Sequence, residues 1–123
     1  MLEEAVFSAL SVLADGRVYP DEAPESTQRP FITFQVVGGR PNVVMAGPAA
    51  ARNARVQFNV WAETRLGATA LMEQLRVIVC DRSAAGALRG TPLGEPVSLH
   101  EDDTNWYGSR MDFSLWYSLR VPD

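Results

Sequence analysis

The 123-residue chain is predicted to be α+β, an antiparallel or mixed four-stranded sheet with two α-helices packed on one face. Three patterns predict it. Apolar stripes at helical spacing occur near the start and again past the middle. Strict alternation marks 54–62 and 110–120. The order helix, strand, strand, helix, strand, strand then favours hairpin pairing with both helices on one side. At this length one domain over 1–123 is expected.

Leu2, Ala5, Val6, Ala9, Leu10 and Leu13 fall at i, i+3, i+4, i+7, i+8 and i+11, one face of an α-helix. Glu3 and Glu4 suit the positive end of its dipole, and Asp15-Gly16 supplies a stop. Arg17-Val18-Tyr19-Pro20 reads as a short extended segment, and Pro20 to Pro30 as loop. Phe31 to Val37, rich in β-formers and bounded by Pro30 and Gly38-Gly39, reads as a strand. Arg40 to Asn53 shows no period and reads as a long loop.

In 54–62, Val56, Phe58 and Val60 share one face while Arg55, Gln57, Asn59 and Trp61 share the other. Thr64 is placed to cap a second helix whose stripe runs Ala68, Leu71, Met72, Leu75, Ile78 and Val79. Ser83 to Pro96, broken by Gly86, Gly90, Pro92, Gly94 and Pro96, reads as loop. Val97 to Glu101 reads as a strand, Asp102 to Asn105 as a turn. In the last strand Met111, Phe113, Leu115, Tyr117 and Leu119 oppose Asp112, Ser114, Trp116, Ser118 and Arg120.

Composition excludes several classes. The longest stretch free of Asp, Glu, Arg and Lys runs from Pro41 to Ala51 and holds two prolines, too short for a membrane helix of about 20 residues. Glu3-Glu4 is the opposite of a basic signal-peptide start, so secretion is not expected. The lone Cys80 can form no disulfide within the chain, and a reducing compartment is the default expectation. All eleven basic residues are arginines, scattered among fifteen acids for a net charge of −4. Nucleic acid, and sequence-specific nucleic acid above all, is therefore not an expected partner.

No catalytic motif emerges. His100, the one histidine, falls in a strand on the face opposite Val97 and Leu99 and reads as a solvated strand residue. Cys80 follows Val77, Ile78 and Val79 and reads as core filler. Glu101-Asp102-Asp103 points in three directions, which suits a solvated turn rather than a cation site. Without lysine there is no P-loop and no Schiff base, so no cofactor is expected. Arg55, Trp61, Trp116 and Arg120 share the parity left for the open face and form the candidate subunit or partner interface. Aromatics and arginine amid polar neighbours are interface composition; a tryptophan pair stacked across strands would produce the same pattern.

Taken in order, these pieces resemble the tail completion proteins of siphophages and prophages, which include tail-to-head joining and tail-terminator proteins. The resemblance is carried by the opening helix, Arg17-Val18-Tyr19-Pro20, Arg29-Pro30-Phe31-Ile32-Thr33-Phe34, Val56-Gln57-Phe58-Asn59-Val60-Trp61-Ala62 and Met111-Asp112-Phe113-Ser114-Leu115-Trp116-Tyr117. It implies a non-enzymatic subunit that joins a homo-oligomeric ring, commonly a hexamer, capping the tail tube and contacting tail-tube and head-connector proteins. It further implies residence in the host bacterial cytoplasm and then in the virion tail, with no membrane stage and no catalytic residue to carry over. Two other readings stand beside it. One is another small virion or tube component of similar fold; the other is a small-molecule-binding or enzymatic domain using His100 and Glu101–Asp103.

Overall fold

A computed structural model describes residues 1–41, 51–81 and 88–118. The elements run α1 (Leu2–Leu10), a 3-10 turn (Ala14–Gly16), β1 (Val18–Pro20), β2 (Phe31–Val36), β3 (Ala51–Ala62), α2 (Arg65–Val79), β4 (Leu88–Pro92), β5 (Val97–Glu101) and β6 (Trp106–Ser118). The class is α+β, as expected, but the mixed sheet has six strands among the described residues rather than four.

The two additional strands lie at the sheet edges. β1 runs parallel to β2, with Val18 opposite Ile32. β4 pairs with the C-terminal half of β6, Leu88 opposite Tyr117, within the span read as loop. The sheet order is β1-β2-β3-β6-β4, with β5 also on β6. β4 and β5 form one interrupted arm of a long hairpin. Pro92 faces Phe113 and Val97 faces Arg110, so Leu93–Pro96 lie across from Met111 and Asp112 alone. This bulge is pinned by the Leu93 amide, which donates to the Asp112 carbonyl at 3.0 Å.

Boundaries moved for local reasons. α1 ends at Leu10; beyond it Leu13 is extended at φ −101° and Ala14, Asp15 and Gly16 take φ of 50°, 51° and 77°, so the helix does not continue, yet Leu13 still reaches the core. β3 begins at Ala51, three residues before the alternation suggested, and β6 begins at Trp106, four before it. The Asp102–Asn105 turn forms as expected, closed by Asn105 at φ 57°. Residues 42–50 of the span read as the 40–53 loop, 83–87 of the span read as the 83–96 loop, and Leu119 and Arg120 lie outside the described residues.

One parity of the sheet meets the helices. Ile32, Phe34, Val56, Phe58, Val60, Met111, Phe113 and Leu115 pack with Val6 and Leu10 of α1 and with Ala68, Met72, Leu75 and Val79 of α2. At its centre Phe58 meets Phe113 edge-on, centroids 5.6 Å apart. Each such ring contributes about 1.5–3 kcal/mol through burial. α2 starts where Thr64, extended at φ −135°, accepts the Gly67 amide at 3.0 Å. With one face covered by the helices, the other is left open.

Candidate functional site

The open face is carried by β3 and β6, twelve and thirteen residues long and paired along the whole of β3. Register brings Trp61 opposite Gly108, Asn59 opposite Arg110, Gln57 opposite Asp112, Arg55 opposite Ser114 and Asn53 opposite Trp116. These are the residues of the parity that the alternation left for the surface. Of the four predicted interface residues, Arg55, Trp61 and Trp116 therefore share one face, and Arg120 lies outside the described residues.

Trp61 and Trp116 do not stack on each other. They sit at opposite ends of the strand pair, eight positions apart, or about 26 Å at 3.3 Å per residue. Trp61 instead meets Trp106, centroids 5.9 Å apart, and Trp106 meets Phe31 edge-on at 5.7 Å. The Arg29 guanidinium caps this cluster 5.5 Å from the Trp106 ring. Trp61 is half-buried as a result, whereas Trp116 is exposed.

Between the two aromatic ends the face is polar and internally bonded. Arg55 donates through Nε at 3.1 Å and Nη2 at 2.8 Å to Asp112 Oδ2. Arg110 Nε donates to Asn59 Oδ1 at 2.9 Å. Asn53 Nδ2 donates to Ser114 Oγ at 2.8 Å and to the Leu115 carbonyl at 3.1 Å. Cross-strand bonds of this kind hold the side chains in place before any partner arrives, which lowers the ordering cost of docking.

Sequence reasoning missed Trp106, Phe31 and Arg89. Arg89 has no local signal because Gly90 and Pro92 break the pattern of β4; it faces outward opposite Trp116. Trp106 follows the Asp102–Asn105 turn, and a hairpin closing there sets it opposite Glu101, whereas its place near Trp61 follows only from the register of β3 with β6.

The other candidate residues have structural surroundings. His100 is exposed; its Nε2 lies 3.0 Å from Asn105 Oδ1, its Nδ1 3.2 Å from Asp102, and its ring 4.6 Å from Tyr107. Glu101, Asp102 and Asp103 are exposed in the turn. Cys80 packs against the core at the end of α2. Among the described residues no group of three His, Cys, Asp or Glu could hold a metal ion, and no helix is long and apolar enough to cross a membrane.

Comparison with known proteins adds two findings. The family model described as "Tail completion protein gp17" matches residues 5–118. Among solved structures, a chain described as "Virion of native gene transfer agent (GTA) particle" has a similar fold, with TM-score 0.59, 13% identity, and coverage of 95% of this chain and 94% of that chain. No curated protein matches the chain.

Proposed function

The chain belongs to the phage tail completion protein gp17 family, a family of structural tail proteins, and from that premise we propose that it closes the head-proximal end of the tail tube as a homo-oligomeric ring. In this reading the ring stops tube polymerisation and presents the surface that joins the head connector. It does so without catalysis or cofactor, first in the host cytoplasm and then in the virion tail.

The family match across residues 5–118 carries the reading. The open face supports it, because exposed tryptophan with arginine nearby is the composition of an interface anchor. Arg55, Trp61 and Trp116 are the residues proposed for contacts with another subunit or a tail partner. A ring also calls for two different surfaces on each subunit, and this chain has an open sheet face and a helical face.

Light scattering across a wide concentration range tests it. The expected result is a rise from 13.5 kDa to one discrete multiple, unchanged by His100→Ala. Growth into long cylinders would instead indicate a tube component, and turnover lost with His100→Ala would indicate an enzyme.

A further inference from the structure

The geometry points to a head-to-tail contact in which Trp116, flanked by Arg55 and Arg89, seats in the groove between α1 and β1 of a second copy of this chain. The inference rests on the reading of the chain as a self-associating subunit, and adds which two surfaces meet.

The projecting half lies on the open face near the β4 edge. Trp116 is 37% exposed and has Asn53 beside it on β3 and Arg89 beside it on β4. Arg55 follows two positions along β3 on the same face, within diagonal reach. Arg89 is exposed and has no ion-pair partner among the described residues. An indole beside the guanidinium of Arg89, unpaired among the described residues, is therefore presented to solvent on strands held rigid by their cross-strand bonds, while the charge of Arg55 is already met by Asp112.

The receiving half lies on the helical layer at the other edge. Phe7, Val18, Pro20 and Phe34 line a groove of about 400 Å³, with Glu3 and Glu4 on its rim. Phe7 is 48% exposed there, an apolar side chain left in water. α1 carries no lysine or arginine, and neither glutamate has an ion-pair partner among the described residues. The groove is roomy enough for an aromatic side chain, and its rim carries the charge opposite to that around Trp116.

Complementarity selects the second copy as occupant and fixes the sense of the contact. A two-fold contact of either patch with itself would set arginine against arginine or glutamate against glutamate, which is repulsive. Pairing the two different patches matches apolar with apolar and cation with anion. They lie on opposite layers and opposite edges of one subunit, so the contact is heterologous and propagates from copy to copy.

Charge exchange tests the contact, with mass by light scattering as the readout and circular dichroism confirming the fold. Arg89→Glu alone, and Glu3→Arg with Glu4→Arg alone, should each weaken assembly at least tenfold in concentration. Trp116→Ala should return the chain to 13.5 kDa. An equal mixture of the two charge variants should assemble again, because each then offers the patch its neighbour lacks. If the wild-type chain assembles and the folded variants assemble equally well, the contact is wrong while self-association stands. If the wild-type chain remains monomeric throughout, both fail; if each charge variant is monomeric and the mixture does not recover, the two patches are not partners.

Discussion

Trp61 lies against the backbone of Gly108, its directly opposed residue on β6. A Cβ placed on Gly108 would stand 2.8 Å from both Cε3 and Cζ3 of the indole and 3.0 Å from the Val60 carbonyl. The glycine thus leaves the space in which the ring lies, and the Trp61–Trp106–Phe31 cluster depends on it. Gly108→Ala should force the indole off the strand and cost about 1–3 kcal/mol. Denaturant unfolding measures the loss, and the emission of Trp61 and Trp106 should change in the folded state.

The second glycine contact is on the helical side. Gly90 of β4 meets Val79 near the end of α2, and a Cβ there would also stand 2.9 Å from Leu115 Cδ2. Both neighbours are buried, so neither can swing away into solvent. Gly90→Ala should destabilise by about 1–3 kcal/mol. Combined with Val79→Ala it should cost less than the sum of the two single changes, since the shortened side chain vacates the volume that the new methyl needs.

These glycines also explain which parts of the fold the sequence conceals. The stripes of α1 and α2 and the alternation of β3 and β6 are legible because each is a periodic pattern within one segment. β4 is not, because Gly90 and Pro92 look like breakers when read locally. Gly90 is required by the approach of Val79, and Pro92 is tolerated because β4 is an edge strand. At the candidate site, the shared face of Arg55, Trp61 and Trp116 follows from parity alone. The partner of Trp61 does not, because it depends on the register that brings Trp106 alongside, a relation between segments rather than within one.

The N-terminal turn of α2 yields a prediction of smaller size. Thr64 is extended, and its hydroxyl accepts the Gly67 amide, one of the donors that the helix leaves unpaired. Thr64→Ala should cost about 1 kcal/mol and Thr64→Ser much less, because serine keeps the acceptor. Thermal unfolding of the three chains checks the order.

The Arg55–Asp112 pair at 2.8 Å looks strong by distance, but its surroundings weaken it. The Arg55 side chain is 53% exposed, so water and salt screen the charges, and a double-mutant cycle should give only about 0.2–1 kcal/mol. The coupling should shrink further as ionic strength rises from 0.05 M to about 1 M, where the Debye length falls to about 3 Å. A coupling that persists at high salt would show that the pair is more deeply desolvated than its exposure indicates.

Arg65 joins elements that the sheet ladder does not. From the first residue of α2 its Nη1 donates to the Gly108 carbonyl at 2.7 Å and its Nη2 to the Leu99 carbonyl, with the guanidinium 5.6 Å from the Tyr107 ring. One side chain therefore ties the helix to both strands of the β5–β6 hairpin. β5 has few other anchors: among the described residues the only strand it pairs with is β6, and Val97, Ser98, His100 and Glu101 are exposed. Arg65→Met keeps the aliphatic stem but leaves two carbonyls without their charged donor, at a cost of about 1–3 kcal/mol. The loss should be local, with the amides of Val97–Glu101 exchanging faster while those at the centre of β3 change only with global stability. Hydrogen exchange resolved along the chain separates the two, and equal acceleration in β3 and β5 would show that Arg65 acts on the whole domain rather than on the hairpin.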